Sequence, residues 1–173
     1  MSKIKEFFLR LFGRKKPREI KIGLALGSGG AKGYAELGVL YAFEESGIEF
    51  DVVAGTSIGG IIGAFYSDGY TSTDVSSLIG NMNFSEIITG LMFGMDTEGL
   101  RKVLNRELGG LTFEELKKPF AVVATVFDTG AEKVFSSGNV SEALCASACF
   151  LPYFKPVIID GIALFPAILS SGG

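Results

Sequence analysis

The 173-residue chain is 47% apolar and 20% charged, a balance that supports a packed core and excludes a disordered protein. It contains no histidine, which excludes a Ser-His-Asp triad, a Cys-His pair and the commonest metal ligand. The net charge of −3 is unevenly placed: residues 1–22 hold eight Lys or Arg against Glu6 and Glu19, leaving an acidic body for which nucleic acid is not an expected partner.

Residues 1–18 form a basic arm ahead of a single domain over 19–173. In the arm, Ile4, Phe7, Phe8, Leu11 and Phe12 recur at helical spacing among Lys3, Lys5, Arg10, Arg14, Lys15, Lys16 and Arg18. Such a helix suits an anionic membrane surface; its competing role is to pack on its own domain. It is too short and too charged to span a bilayer and lacks the apolar core of a secretory signal, so the expected location is cytoplasmic, peripheral at the inner face of the membrane.

After Pro17 the pattern predicts a strand over Glu19–Leu26, a glycine cluster, and a helix over Ala31–Ser46. A second strand over Phe50–Ala54 runs into Gly55-Thr56-Ser57-Ile58-Gly59-Gly60, and helix resumes over Ile61–Tyr66. Residues 71–118 read as mainly helical segments. The apolar run Phe120–Phe127 predicts a buried strand, with Glu132–Ser136 pairing back onto it. Val140–Ala148 predicts a helix of small residues, and Ile158–Leu169 contains a last strand. Strand and helix alternation implies a mainly parallel sheet with helices on its faces, a three-layer α/β/α sandwich. Cys145 and Cys149 lie four apart on one apolar helix and read as core residues, not metal ligands.

Two segments carry chemistry. Gly55-x-Ser57-x-Gly59 between a strand and a helix has the form of a nucleophile elbow, in which the flanking glycines relieve crowding around a strained serine. The competing role for Ser57 is an N-cap in a glycine-rich turn. Gly27-Ser28-Gly29-Gly30-Ala31-Lys32-Gly33 opens the preceding helix, so its amides converge beside a positive helix end and can hold an oxyanion or a phosphate. A dinucleotide loop would need glycine where Lys32 stands, and a Walker loop would need Ser or Thr where Gly33 stands. A hydroxyl at one strand end and amide donors at the next describe an acyl-transfer site.

The blocks GLALGSGGAKGYAELGVL, VVAGTSIGG, LTFEELKKPFAVVAT and ASACFLPYFKPVIIDG resemble, in this order and spacing, the patatin-like phospholipases. The resemblance implies an α/β/α sandwich and a Ser-Asp dyad that needs no cofactor or metal. It implies Ser57 as nucleophile, with Ser28, Gly29, Gly30 and the Ile58 N–H around the oxyanion. The implied substrates are phospholipids or lysophospholipids, cleaved at fatty-acyl esters. Three positions depart from the family. Ser28 stands where glycine is usual and Glu36 where histidine is frequent. The family's Asp a few residues after an Asp-Gly turn is absent, because that stretch reads Leu164-Phe165-Pro166-Ala167. Asp160 is then the base candidate; its competing role is a turn residue. Members usually continue further, so the domain is expected to be C-terminally incomplete. A catalytically inactive module that binds lipid or a partner is the alternative function. An acyl-CoA-dependent acyltransferase would normally use a histidine that this chain lacks.

Overall fold

The structure is a computed structural model and describes residues 21–81, 97–148 and 155–166. The arm at 1–18, Cys149 and the stretch from Ala167 onward lie outside the described residues. Six strands form one sheet: β1 (Gly23–Leu26), β2 (Val52–Gly55), β3 (Phe120–Val126), β4 (Glu132–Phe135), β5 (Val157–Ile159) and β6 (Ile162–Pro166). Among the described residues five α-helices accompany them: α1 (Gly33–Glu45), α2 (Ile58–Ser67), α3 (Ser72–Asn81), α4 (Glu98–Glu107) and α5 (Val140–Ala148).

The sheet is mixed, not mainly parallel as the strand and helix alternation implied. β1, β2 and β3 pair in parallel through their helical crossovers. The remaining pairings, β3 with β4, β3 with β6 and β5 with β6, are antiparallel. The reason is local: these strands enter through tight turns, which reverse the chain, whereas a parallel return needs a long crossover. The stretch expected to hold one last strand is in fact a hairpin. Asp160 (φ 50°) and Gly161 (φ 77°) form its two-residue turn, and an Asp-Gly pair with both φ positive is the turn whose twist matches paired strands.

Register places Leu24, Leu26, Val53, Gly55, Phe120 and Val122 on one face. Helix α2 lies against that face, and its residues Gly59–Ser67 are all buried. It can approach so closely because its inner positions carry no side chain. A Cβ on Gly63 would stand 2.9 Å from the Phe120 ring, and one on Gly60 2.8 Å from a Val122 methyl. Around this contact Leu37, Leu40, Phe50, Val53, Ile62, Phe65 and Leu144 close the core. The alternate residues of the same strands point to the opposite face, where Val52 is 43% exposed and Val134, which pairs with Val123 from β4, is 50% exposed.

The close approach predicts the effect of a single methyl. Gly60→Ala should lower stability by about 1–3 kcal/mol through overpacking, read as a lower denaturant midpoint with an unchanged slope.

Candidate active site

β2 ends at Gly55 and α2 begins at Ile58, so the chain reverses over Thr56 and Ser57. Ser57 adopts φ 53° and ψ −123°, a left-handed backbone that costs a residue with a Cβ about 1–3 kcal/mol. The conformation persists because its surroundings leave no room for another. A Cβ on Gly55 would stand 2.5 Å from the Gly59 carbonyl oxygen, and one on Gly59 2.6 Å from the Leu26 carbonyl. Although Ser57 occupies the N-cap position of α2, its side chain makes no capping hydrogen bond. The residue is half-buried, and among the described residues its hydroxyl has no hydrogen-bond partner.

The glycine loop abuts this turn. Thr56 N–H donates to the Leu26 carbonyl at 3.2 Å, tying the elbow to the end of β1. Gly33 packs on Ile58, where a Cβ would stand 2.5 Å from that side chain. Within the loop, Gly30 has φ 53° and begins a short 3-10 turn, Gly30–Lys32, which leads into α1. Gly27 N–H donates to Glu36 Oε1 at 2.6 Å. Among the described residues, the N–H groups of Ser28, Gly29 and Gly30 donate to no protein acceptor. Ile58, first in α2, likewise offers an amide that no intrahelical carbonyl can take. The geometry therefore gathers Ser57, Ser28, Gly29, Gly30 and Ile58 at the ends of β1 and β2, with Gly55 and Gly59 as the close contacts that permit it.

Asp160 is not brought to this place. It lies exposed in the β5–β6 turn, and β6 runs extended from there to Pro166, so the carboxylate sits about 20 Å down-strand from the β6 terminus. The β6 terminus is the end that meets the elbow. Val122 pairs with Gly55 and with Phe135, so β2 and β4 flank β3 on opposite sides. Ala124 pairs with Lys133 and with Pro166, so β6 also lies opposite β4, on the side of β2. Strands β2 and β6 thus meet head to head along one edge of β3, and Pro166 faces the Thr56–Ser57 turn across a short gap. Among the described residues, no carboxylate hydrogen-bonds the Ser57 hydroxyl, and no cluster of His, Cys, Asp and Glu could hold a metal ion.

Two participants were not singled out by sequence pattern. Ser147 on α5 fills the gap between β2 and β6: it accepts the Ser57 N–H at 2.8 Å and donates to the Val123 carbonyl at 2.7 Å. Its only sequence signal is a hydroxyl within a run of small apolar residues. Glu36, noted only as a departure from the family, anchors the start of the loop through Gly27, and its Oε2 is buried without a partner.

A sequence model described as patatin-like phospholipase matches residues 24–172. The chain belongs to the patatin-like phospholipase family. An uncharacterized NTE family protein of Mycobacterium tuberculosis is 30% identical over 171 residues, which cover 95% of this chain and 45% of that protein. The human patatin-like phospholipase domain-containing protein 6 is 27% identical over 180 residues, 90% of this chain and 13% of that protein. The chain thus spans less than half the length of these relatives. Among solved structures, VipD from Legionella pneumophila aligns at a TM-score of 0.66 with 16% identity, over 86% of this chain and 46% of that one. ExoU of Pseudomonas aeruginosa, solved in complex with SpcU, aligns at 0.58 with 21% identity, over 75% and 38%. These likenesses show the α/β sandwich fold of the patatin-like domain.

The placement of Asp160 gives a direct expectation. Asp160→Asn keeps a residue suited to the turn and should leave both thermal stability and any ester hydrolysis at the parent level across pH 6–9. A loss of hydrolysis without loss of fold would return Asp160 to the site.

Proposed function

We propose that this chain carries the nucleophile and oxyanion pocket of a lipid acyl hydrolase that acts on fatty-acyl esters of phospholipids or lysophospholipids. The observation that carries this reading is the strained Ser57, its hydroxyl unused for capping, beside the amides of Ser28, Gly29, Gly30 and Ile58, which have no acceptor among the described residues. In the acylation step Ser57 Oγ bonds the carbonyl carbon and the amides hold the developing oxyanion. The carbon–oxygen bond to the leaving alcohol then breaks, and that alcohol takes up a proton. Water releases the acid and restores Ser57. No cofactor enters.

The base is the weak element of the proposed site. In a Ser-Asp dyad a carboxylate accepts the hydroxyl proton. The β6 terminus that faces the elbow holds Pro166, and the proton then passes to water, so turnover by this chain is slow. This same feature favours a second reading, a catalytically inactive domain that binds lipid. The two diverge in one experiment. The hydrolase reading expects an activated fluorophosphonate to label Ser57, Ser57→Ala to abolish labelling, and Pro166→Asp to raise ester hydrolysis by ~10²-fold or more, the usual yield of a positioned base. Lipid binding without labelling of Ser57 would establish the inactive module instead.

The arm supports a membrane setting for these substrates. No helix among the described residues is long and apolar enough to cross a membrane, while residues 1–18 combine an apolar stripe with seven basic side chains. The proposed role is attachment to an anionic surface, where each nearby Lys or Arg contributes about 1 kcal/mol. Deleting residues 2–16 should weaken binding to phosphatidylserine vesicles and flatten its salt dependence, with hydrolysis of a short soluble ester unchanged. Equal binding with and without the arm would assign it to intramolecular packing.

A further inference from the structure

We propose that Ser147 is a positioning residue for the acyl-transfer site, holding the backbone of the nucleophile in its attacking conformation. The inference rests on Ser57 being the nucleophile. Ser147 is fully buried, and its single hydroxyl stands between a group that can only donate and a group that can only accept. The Ser57 N–H must be accepted, at 2.8 Å, and the Val123 carbonyl must receive a proton, at 2.7 Å. The two short contacts favour one direction for the hydroxyl proton, toward Val123, over the longer 3.5 Å contact with Thr56 Oγ1.

The need for such a residue follows from the sheet. β2 leaves β3 after Gly55, which pairs with Val122, and β6 arrives at Pro166, which pairs with Ala124. Val123 lies between, and among the described residues no strand N–H donates to its carbonyl on that side. Thr56 Oγ1 reaches the same oxygen at only 3.4 Å, a weak supplement. Ser147 fills the break in the ladder from α5, and in doing so ties α5, β3 and the elbow together at one atom. It also engages the Ser57 amide, so that this N–H is withheld from the oxyanion and the neighbouring Ile58 amide is left to serve it. Loss of the hydroxyl would leave the part-buried Ser57 N–H without its acceptor and the Val123 carbonyl with only the weak Thr56 contact, and the turn at Ser57, whose conformation is unfavourable on its own, would relax.

The test reads chemistry and binding separately. The full chain is reacted with a fluorophosphonate over a range of concentrations; Ser57 Oγ bonds phosphorus, fluoride leaves, and the hydroxyl proton passes to solvent. The saturating rate and the half-saturating concentration are measured for the parent, Ser147→Ala and Ser147→Thr, with thermal unfolding as the control for fold. Ser147→Ala should slow the saturating rate ~10- to 100-fold, the usual result of a misplaced reacting group, with half-saturation unchanged. Ser147→Thr keeps the hydroxyl and should retain most of the parent rate. A parent rate in Ser147→Ala, or an equal loss in both variants while both stay folded, would overturn the proposal. If Ser147→Ala does not fold, Ser147→Cys decides: its weaker donor should slow labelling of folded protein, and a parent rate overturns the role. Labelling that persists in Ser57→Ala would instead defeat the nucleophile assignment.

Discussion

At the end of β1 the backbone of α2 comes into contact with the backbone of the sheet, with Gly59 seated on Leu26 and Gly27. No side chain fits in that contact. A helix normally stands off a sheet by the thickness of its side chains; here three glycines, Gly59, Gly60 and Gly63, let it lie directly on the strands. Everything at the candidate site depends on this approach. It draws the first turn of α2 down to the level of the glycine loop, so that the two segments lie at neighbouring strand ends. It also leaves Ser57 too little space for an ordinary backbone, and this is why a strained residue survives there.

The second constraint comes from the far side of the chain. β3 is longer than β2, and its exposed edge beyond Gly55 is taken by β6 running in the opposite direction. Two strands meeting end to end along a third leave a break in the hydrogen-bond ladder. A break inside a protein must be filled, because an unpaired buried carbonyl costs more than a made bond returns. Ser147 fills it with one hydroxyl. The same break is where a residue at the end of β6 would reach the nucleophile. Proline occupies that end; it has a carbonyl that accepts from Thr125 Oγ1 at 3.4 Å, and it has no acid–base group.

Family membership and local geometry speak to different levels. The family accounts for the arrangement of β1, the loop, β2 and the elbow. The chain's own substitutions bear on how that arrangement works. Glu36 takes the amide of Gly27 with a carboxylate and leaves a second oxygen buried with no partner among the described residues. β6 ends at Pro166, a residue with no acid–base group.

Much of this was legible in the residues. The absence of histidine, the Gly-x-Ser-x-Gly between an apolar strand and a helix, and the glycine loop after the first strand are local signals. Local signals suffice there because backbone strain and close approach select glycine at the very positions that need it. The helices at 33–45 and 140–148 and the buried strand at 120–126 follow in the same way from periodicity. What sequence alone left open was pairing. Asp160-Gly161 reads equally as a catalytic neighbourhood and as a hairpin turn, and only the antiparallel register of β5 with β6 decides for the turn. The pairing of β3 with β6, the meeting of β2 with β6 and the part played by Ser147 arise from contacts between residues 24 to 90 positions apart in the chain. No local pattern encodes such contacts, because the side chain that fills a break in a ladder is chosen by the shape of the gap.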